Sequence, residues 1–301
     1  MKERIFLWGT GDAANLIMNM MEDVITTEYN ILGFIDNSQN CSGKLFRNIP
    51  VYTPEYLFDK EFDRIVILIN EQASEVRNQI TDMFGNKVTV SNKYYFMKKI
   101  IERKYNCSDN TEIRNILDYL KSNDLDVFNY DYVKEYDDIQ ITPVYDAENG
   151  MYYVMHAGKK MYFSRKYDSA DRVKDYYRSL LIEQDSRSPH KYTDDEFCVE
   201  PDSVVVDAGV AEANFSLEII DRVKRIYMFE ADECWIEAIK LTFAEYMDKI
   251  VIINKFLSDE ISENTITLDA AVDERIDFIK MDIEGYETKA LQGAARVLGN
   301  K

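Results

Sequence analysis

Two stretches of the sequence gather residue types that can hold a small, charged cofactor. Residues 203–216 read SVVVDAGVAEANFS, and residues 276–294 read IDFIKMDIEGYETKALQGA. The first is a hydrophobic strand, expected over 203–207, that ends at Asp207 and runs through Ala208 and Gly209 into a helix from about Phe215. Ligands of open α/β sheets bind beyond the carboxyl ends of the strands. A small residue at such a point lets a ligand approach the backbone closely. The run RIYMFEADE then predicts a second strand ending at Glu230, ~20 residues past the first turn. An acidic side chain at that spacing can accept hydrogen bonds from both ribose hydroxyls of an adenosine cofactor. KIVIINKFLSD at 249–259 reads as a third strand, whose end at Leu257-Ser258 would flank the adenine, so that Ser258 joins the candidate cofactor residues. IDFIKMD at 276–282 is the fourth, and it delivers Asp282 to the same rim.

Taken one at a time these features also fit ordinary strand ends. In this order and spacing they resemble the FkbM family of methyltransferases. The resemblance rests on the Asp207-x-Gly209 turn, Phe229-Glu230, Thr267-Leu268-Asp269 and the IDxIKxDxEGxExxxLxGA run. It covers residues ~150–301 and takes in SPHKY at 188–192, a segment that precedes the cofactor domain in some members. It implies a class I methyltransferase fold that uses S-adenosylmethionine, with Asp207, Gly209 and Glu230 holding the cofactor. By the same resemblance Asp282, Glu284 and Glu287 lie at or near the transfer site. There are two departures. Ala213 stands where a second glycine is usual in the first turn, which a helical backbone would tolerate and a positive φ would not. The chain also ends at Lys301, before the further strands of a complete fold of this class, so the domain reads as truncated.

Methyl transfer is an in-line displacement at a sulfonium carbon, and the enzyme's main task is to position the acceptor. A hydroxyl acceptor gains from a general base. Asp282 is the first candidate, as a strand-end carboxylate on the rim. His190, one of two histidines and part of SPHKY, is the second, and Glu284 the third. Glu284 and Glu287 can equally anchor a helix N-terminus, where the dipole favours acids. Asp282 and Glu284 would make a pair of Mg²⁺ ligands, but two carboxylates are too few to assign a metal.

A second candidate site opens the chain. GTGDAA at 9–14 lies between the β-rich run RIFLW and the helical pattern NLIMNMMEDVI. Amides of such a turn can cradle a phosphate at a helix N-terminus, which makes Gly9 and Gly11 binding candidates. Asp36 closes a second strand ~25 residues later, where an acid can meet a ribose. With GFIDN, Gly43 and IPVY, this region resembles the small Rossmann-like domain fused to sugar-modifying acetyltransferases and related nucleotide-sugar enzymes. The resemblance covers residues ~1–95 and implies a bound nucleotide sugar. A packing or dimerisation domain is the plain alternative.

The elements that carry these residues alternate between strand and helix, which predicts α/β architecture with two Rossmann-like parallel-sheet domains. Residues 1–100 form the first, with strands at 4–8, 31–38, 62–70 and 87–91, a helix opened by Pro54 in PEYLF, and a helix over 71–84. Residues 101–150 read as a helical connector, and residues 151–301 as the methyltransferase domain. The latter opens with a hairpin over 151–163 and an amphipathic helix in SADRVKDYYRSLLIEQD.

Net charge is −19, which argues against nucleic-acid partners and anionic membrane surfaces. No apolar run reaches the ~18 residues needed to span a bilayer. The N-terminal MKERIFLWGTGD reads as a strand rather than a signal peptide, so a cytoplasmic protein is expected. The four cysteines lack metal or redox spacing and read as reduced, buried thiols. The expected activity is O-methylation of a sugar, a nucleotide sugar or another precursor in polysaccharide biosynthesis, by a protein that can form a homo-oligomer. Two other readings remain open. One is a non-catalytic nucleotide-sugar-binding scaffold with a decayed methyltransferase half. The other is a nicotinamide-dependent sugar oxidoreductase built on GTGDAA, which lacks a recognisable Tyr-x-x-x-Lys group.

Overall fold

The computed structural model describes residues 2–69 and 72–299. The chain separates between Asp131 and Tyr132 into two compact units.

The first unit begins with β1 (Arg4–Trp8), α1 (Asp12–Glu28), β2 (Asn30–Ile35), β3 (Leu45–Phe46) and β4 (Ile49–Tyr52). It continues with β5 (Arg64–Ile67), α2 (Ala73–Phe84), β6 (Thr89–Ser91), α3 (Tyr95–Tyr105) and α4 (Thr111–Leu120). The sheet order is β3-β4-β2-β1-β5-β6. Every pairing is parallel except β3 with β4. Strands β1 and β5 are apolar because both faces are covered, and Ile5, Leu7, Ile65 and Val66 are fully buried. Helix α1 packs through Ala14, Ile17, Met18, Met21 and Ile25, the spacing that keeps one helical stripe facing the sheet. The cysteines are not buried as the sequence reading has them: Cys107 and Cys198 are exposed, and Cys41 and Cys234 half-buried. Several boundaries differ too: the 31–38 strand ends at Ile35 and the 87–91 strand begins at Thr89. The 62–70 strand is shortened to β5, and the 71–84 helix starts at Ala73; residues 70 and 71 lie outside the described residues. Pro54–Asp59 forms a 3-10 turn rather than an α-helix. The segment read as a connector is shared between the units: α3 and α4 precede the division, whereas β7 follows it.

The second unit opens with an antiparallel sheet of β7 (Val144–Asp146), β8 (Met151–His156) and β9 (Lys159–Tyr162). The β8–β9 hairpin turns at Ala157-Gly158, as the sequence predicts. Helix α5 (Ala170–Glu183) follows, capped by Ser169, whose hydroxyl accepts from the Arg172 amide. Then come β10 (Val204–Ala208), α6 (Asn214–Ile219), β11 (Arg225–Phe229), α7 (Glu233–Thr242), β12 (Ile250–Ile253), β13 (Phe256–Leu257) and β14 (Thr265–Ile266). Helix α8 (Leu268–Ala271), β15 (Phe278–Met281), α9 (Glu287–Gln292) and α10 (Ala295–Gly299) complete it. The main sheet is parallel, in the order β12-β11-β10-β15. Its two faces are built by alternation along β10: Val205 joins the core with β8, β9, α5 and α7, whereas Val204, Val206 and Ala208 join the core with α8, α9 and α10.

One strand expectation fails here. The 249–259 run is broken at Asn254-Lys255, and β13 leaves the main sheet to pair with β14. The Asn254 amide donates to the carbonyls of Glu230 and Ala231, occupying acceptors just past the end of β11 where a longer β12 would have continued the ladder. The fold class is as the sequence implies, α/β with two parallel sheets. In each sheet the chain starts in the middle, builds outward on one side, and crosses to the other. The strand order therefore reverses between β1 and β5 in the first unit and between β10 and β15 in the second, and in the second a cleft opens at the carboxyl ends of these strands.

Candidate functional site

The crevice of the second unit is a cleft of about 470 Å³, inside the ~300–1,000 Å³ range of small-ligand sites. Its floor is set by three strand ends held in register. The Gly209 amide donates to the Phe229 carbonyl at 2.9 Å, the Glu230 amide to Ile253 at 3.2 Å, and the Asp282 amide to Ala208 at 3.0 Å. Gly209 has φ +76, and a Cβ there would lie 1.8 Å from the Asp282 carbonyl oxygen. Only glycine permits β10 and β15 to close this tightly where the chain turns away.

Glu230 is buried on the cleft wall at the end of β11. Its carboxylate accepts from the Ala211 amide at 2.8 Å and from the Asp232 amide at 2.7 Å. It therefore ties the first turn to the start of α7 and keeps acceptor capacity on both oxygens. Asp232 caps α7 through the Cys234 amide, and the helix presents Trp235 to the cleft. Lys255, Phe256 and Leu257 close the far side.

Asp207 stands apart from the cleft lining, 1% exposed beneath the turn. Its carboxylate accepts from the Ser216 hydroxyl at 2.7 Å and lies 3.1 Å from the Lys280 ammonium. Lys280 also donates to the Gly209 carbonyl at 2.5 Å and sits 5.0 Å from the Tyr192 ring centre. This buried ion pair fastens β10, β15 and α6 beneath the site. Ser258 is likewise turned away from the lining: its hydroxyl bonds Asp259, and its carbonyl packs against Gly293.

Asp282 reaches the rim and lines the cleft. Its Oδ2 accepts from the Tyr192 hydroxyl at 2.9 Å. Burial, with the Asp282 carboxylate next, holds the Tyr192 phenol well above its ordinary range, so it stays a donor. Glu183, at the last turn of α5, faces the same point. Burial, then the charge of Asp282, raises its carboxyl above the usual range. His190 is exposed, outside the lining, yet near enough to Glu183 for its charge to act on that carboxyl. Glu284 is exposed on the cleft edge at φ +56. Glu287 serves the backbone instead: its own amide first, then the amides of Ile283 and Gly285 at 3.1 and 3.2 Å, hold its carboxyl below the usual range.

The structure thus gathers Gly209, Glu230, Asp282 and Glu284 around one cleft. It sets Asp207 below the floor and leaves Ser258 and His190 off the lining. It adds Glu183, Tyr192, Glu212, Trp235 and Lys280. Two of these had a readable signal. Lys280 is a lone charge inside the apolar strand FIKM, which demands a buried partner. Tyr176, Leu180 and Glu183 follow helical spacing, so Glu183 extends a stripe already visible in α5. Tyr192 closes the SPHKY segment that the resemblance takes in, but the candidate there is His190; nothing local points to Trp235.

Gly9, Gly11 and Asp36 belong to the first unit, at the carboxyl ends of β1 and β2. Gly9 has φ +112, and a Cβ there would meet Ile69 at 2.7 Å. Gly11 is the N-cap of α1. The Asp36 carboxylate accepts from the amide and hydroxyl of Thr10, at 3.1 and 2.5 Å, and from the Ser38 amide at 2.8 Å. It therefore holds the glycine turn against β2. Among the described residues no group of three or more His, Cys, Asp or Glu gathers as a metal site. No helix among them is long and apolar enough to cross a membrane.

Comparison with known proteins bears on both units. Residues 162–300 match the family model described as methyltransferase FkbM domain, and residues 1–90 match that described as C2185-like, N-terminal. A search of curated proteins finds no match. Among solved structures, the chain is similar to methyltransferase FkbM from Methylobacillus flagellatus KT, at 15% identity and a TM-score of 0.41, over 98% of this chain and 76% of that one. It is also similar to UDP-D-quinovosamine 4-dehydrogenase from Vibrio fischeri, at 17% identity and a TM-score of 0.25, over 31% of this chain and 78% of that one. The family match identifies residues 162–300 as a methyltransferase-type domain.

Proposed function

We propose that the second unit is an S-adenosylmethionine-dependent O-methyltransferase acting on a sugar or glycan precursor. The observation that carries this reading is the buried Glu230 carboxylate on the wall of a cleft at the ends of β10, β11 and β15, directly bonded to the turn after β10. The residues present fit the cofactor. Glu230 is an acceptor-only group suited to a ribose diol. Phe256 and Leu257 offer apolar surface for an adenine, and the Gly209 turn leaves backbone free of a side chain beside it. When bound, the cofactor supplies an electrophilic methyl group on sulfur.

The chain's own residues do the rest. Tyr192 fixes the rim at Asp282, and the Asp207–Lys280 pair fixes the floor beneath it. Asp282 takes the proton of the acceptor hydroxyl, and Tyr192 orients it by donating to Oδ2 while Oδ1 remains for the acceptor. Glu183, with its raised pKa, is the neighbour best suited to share that proton. His190 and Glu284 stay candidates for contacts to the acceptor at the rim. A nucleotide sugar held at Gly9, Gly11 and Asp36 would give the first unit a role in recruiting substrate.

Two variants test the reading. Glu230→Ala should weaken S-adenosylhomocysteine binding by about 1–3 kcal/mol in calorimetry, through lost charge-assisted hydrogen bonds. Asp282→Asn should keep that binding and lower methyl transfer to a hydroxyl acceptor by about 100-fold or more. Unchanged affinity in the first would remove Glu230 from the site. A wild-type chain that binds neither S-adenosylmethionine nor its product would leave the scaffold reading, with the first unit as the binding module.

A further inference from the structure

Glu212 is a buried acid with no part in the roles assigned so far. It lies in the turn between β10 and α6, is 5% exposed, and still lines the cleft. The Tyr176 hydroxyl donates to its Oε2 at 2.7 Å. Tyr176 and Trp235 both line the cleft, with their ring centres 6.2 Å apart and their planes inclined by 29°, and Tyr167 packs on both rings at 4.7 and 5.6 Å. A carboxylate set among aromatic faces is the chemistry that takes up an organic cation, because the rings attract positive charge and the acid neutralises it. The same surroundings are hostile to a carboxylate left alone.

We propose that Glu212, with Tyr176 and Trp235, is the cation-recognition site of this cleft and binds a positive group at the amino-acid end of the cofactor, its ammonium or its sulfonium. This rests on the S-adenosylmethionine reading above and assigns it a specificity residue. The charged and titratable groups around Glu212 are Tyr176 on α5, Tyr167 before it, Asp207 on β10 and Lys280 on β15, and Glu230 and Asp232 line the same cleft. Burial is the largest influence and pushes the Glu212 carboxyl up to about 7, opposed by the Tyr176 hydrogen bond and Lys280 and assisted by Asp207. Below that pH the acid is neutral and loses its hold on a cation. Binding of a cationic ligand should therefore weaken as pH falls from 8 to 6.

Calorimetric titration of the full chain tests this with three ligands. S-adenosylmethionine carries both cations, S-adenosylhomocysteine keeps only the ammonium, and 5′-methylthioadenosine has neither. Glu212→Gln should weaken S-adenosylmethionine by about tenfold or more at pH 8 and remove the pH dependence, while 5′-methylthioadenosine stays within about twofold. Loss for both charged ligands would place the ammonium at Glu212; loss for S-adenosylmethionine alone would place the sulfonium there. Tyr176→Phe removes a hydrogen bond that favours the charged acid, so it should move the midpoint of the pH dependence upward. Wild-type-like affinities in Glu212→Gln across the pH range would overturn the proposal and leave the cofactor reading standing. Equal loss for 5′-methylthioadenosine would also overturn it, since Glu212 would then act through packing. A wild-type chain that binds none of the three would sink the cofactor reading itself.

Discussion

Gly209 shows how narrow the tolerance is at one residue. Its φ of +76 and the 1.8 Å approach of the Asp282 carbonyl to a built Cβ leave no room for any side chain. Gly209→Ala must push β15 away from β10 or unseat the turn, and both movements separate Glu230 from Asp282. The expected cost is about 3 kcal/mol or more in urea unfolding, with loss of cofactor binding. A variant of wild-type stability would mean that the two strand ends are not closed in solution. Lys280 and Asp207 illustrate the other kind of constraint. Both are buried, so each needs the other, and their value lies in fixing the floor rather than in touching a ligand.

Among the elements, the turn leading into α6 departs furthest from the expected sequence. Ala211 and Ala213 both take left-handed conformations, at φ +46 and +66. Ala213 is the N-cap of α6 and offers no side-chain hydrogen bond. Its methyl is 1% exposed and joins the core beside α5 and α7 rather than the cleft lining. The helical backbone that would have tolerated alanine is therefore not the one present. The cost is conformational, and the methyl recovers part of it by packing. Ala213→Gly should relieve the left-handed strain and lose that packing, for a net gain of about 0.5–1 kcal/mol in chemical unfolding, with the cleft unchanged. A loss of stability would show that the methyl contact outweighs the strain. Helix α5 works in the opposite sense. Its stripe is legible in the sequence, and its last turn delivers Glu183 to the rim without any special backbone.

Across the whole molecule, each unit has its own cores: among the described residues, two in the first, built on β1, β5 and α1, and two in the second, on the faces of β10. Two calorimetric transitions are expected, and S-adenosylhomocysteine at 100 times its dissociation constant should stabilise only one, by about 2.7 kcal/mol. A single transition shifted as a whole would show that the units unfold together. The α/β class, the succession of strands and helices along the chain, and the strand-end positions of Glu230 and Asp282 were written in the sequence, because buried strands need apolar runs and strand ends need turn residues whatever surrounds them. The breaking of the 249–259 run was not, since it depends on Asn254 meeting carbonyls at the end of another strand. Nor was the sorting of acids into roles. Asp207 and Glu230 look alike as strand-end acids, yet packing sends one under the floor to Lys280 and the other to the wall. Glu212, Tyr176, Tyr192 and Trp235 come from segments far apart in the chain, and only tertiary packing brings them to one cleft. Side-chain burial and through-space charge follow from that packing, and local pattern carries no record of them.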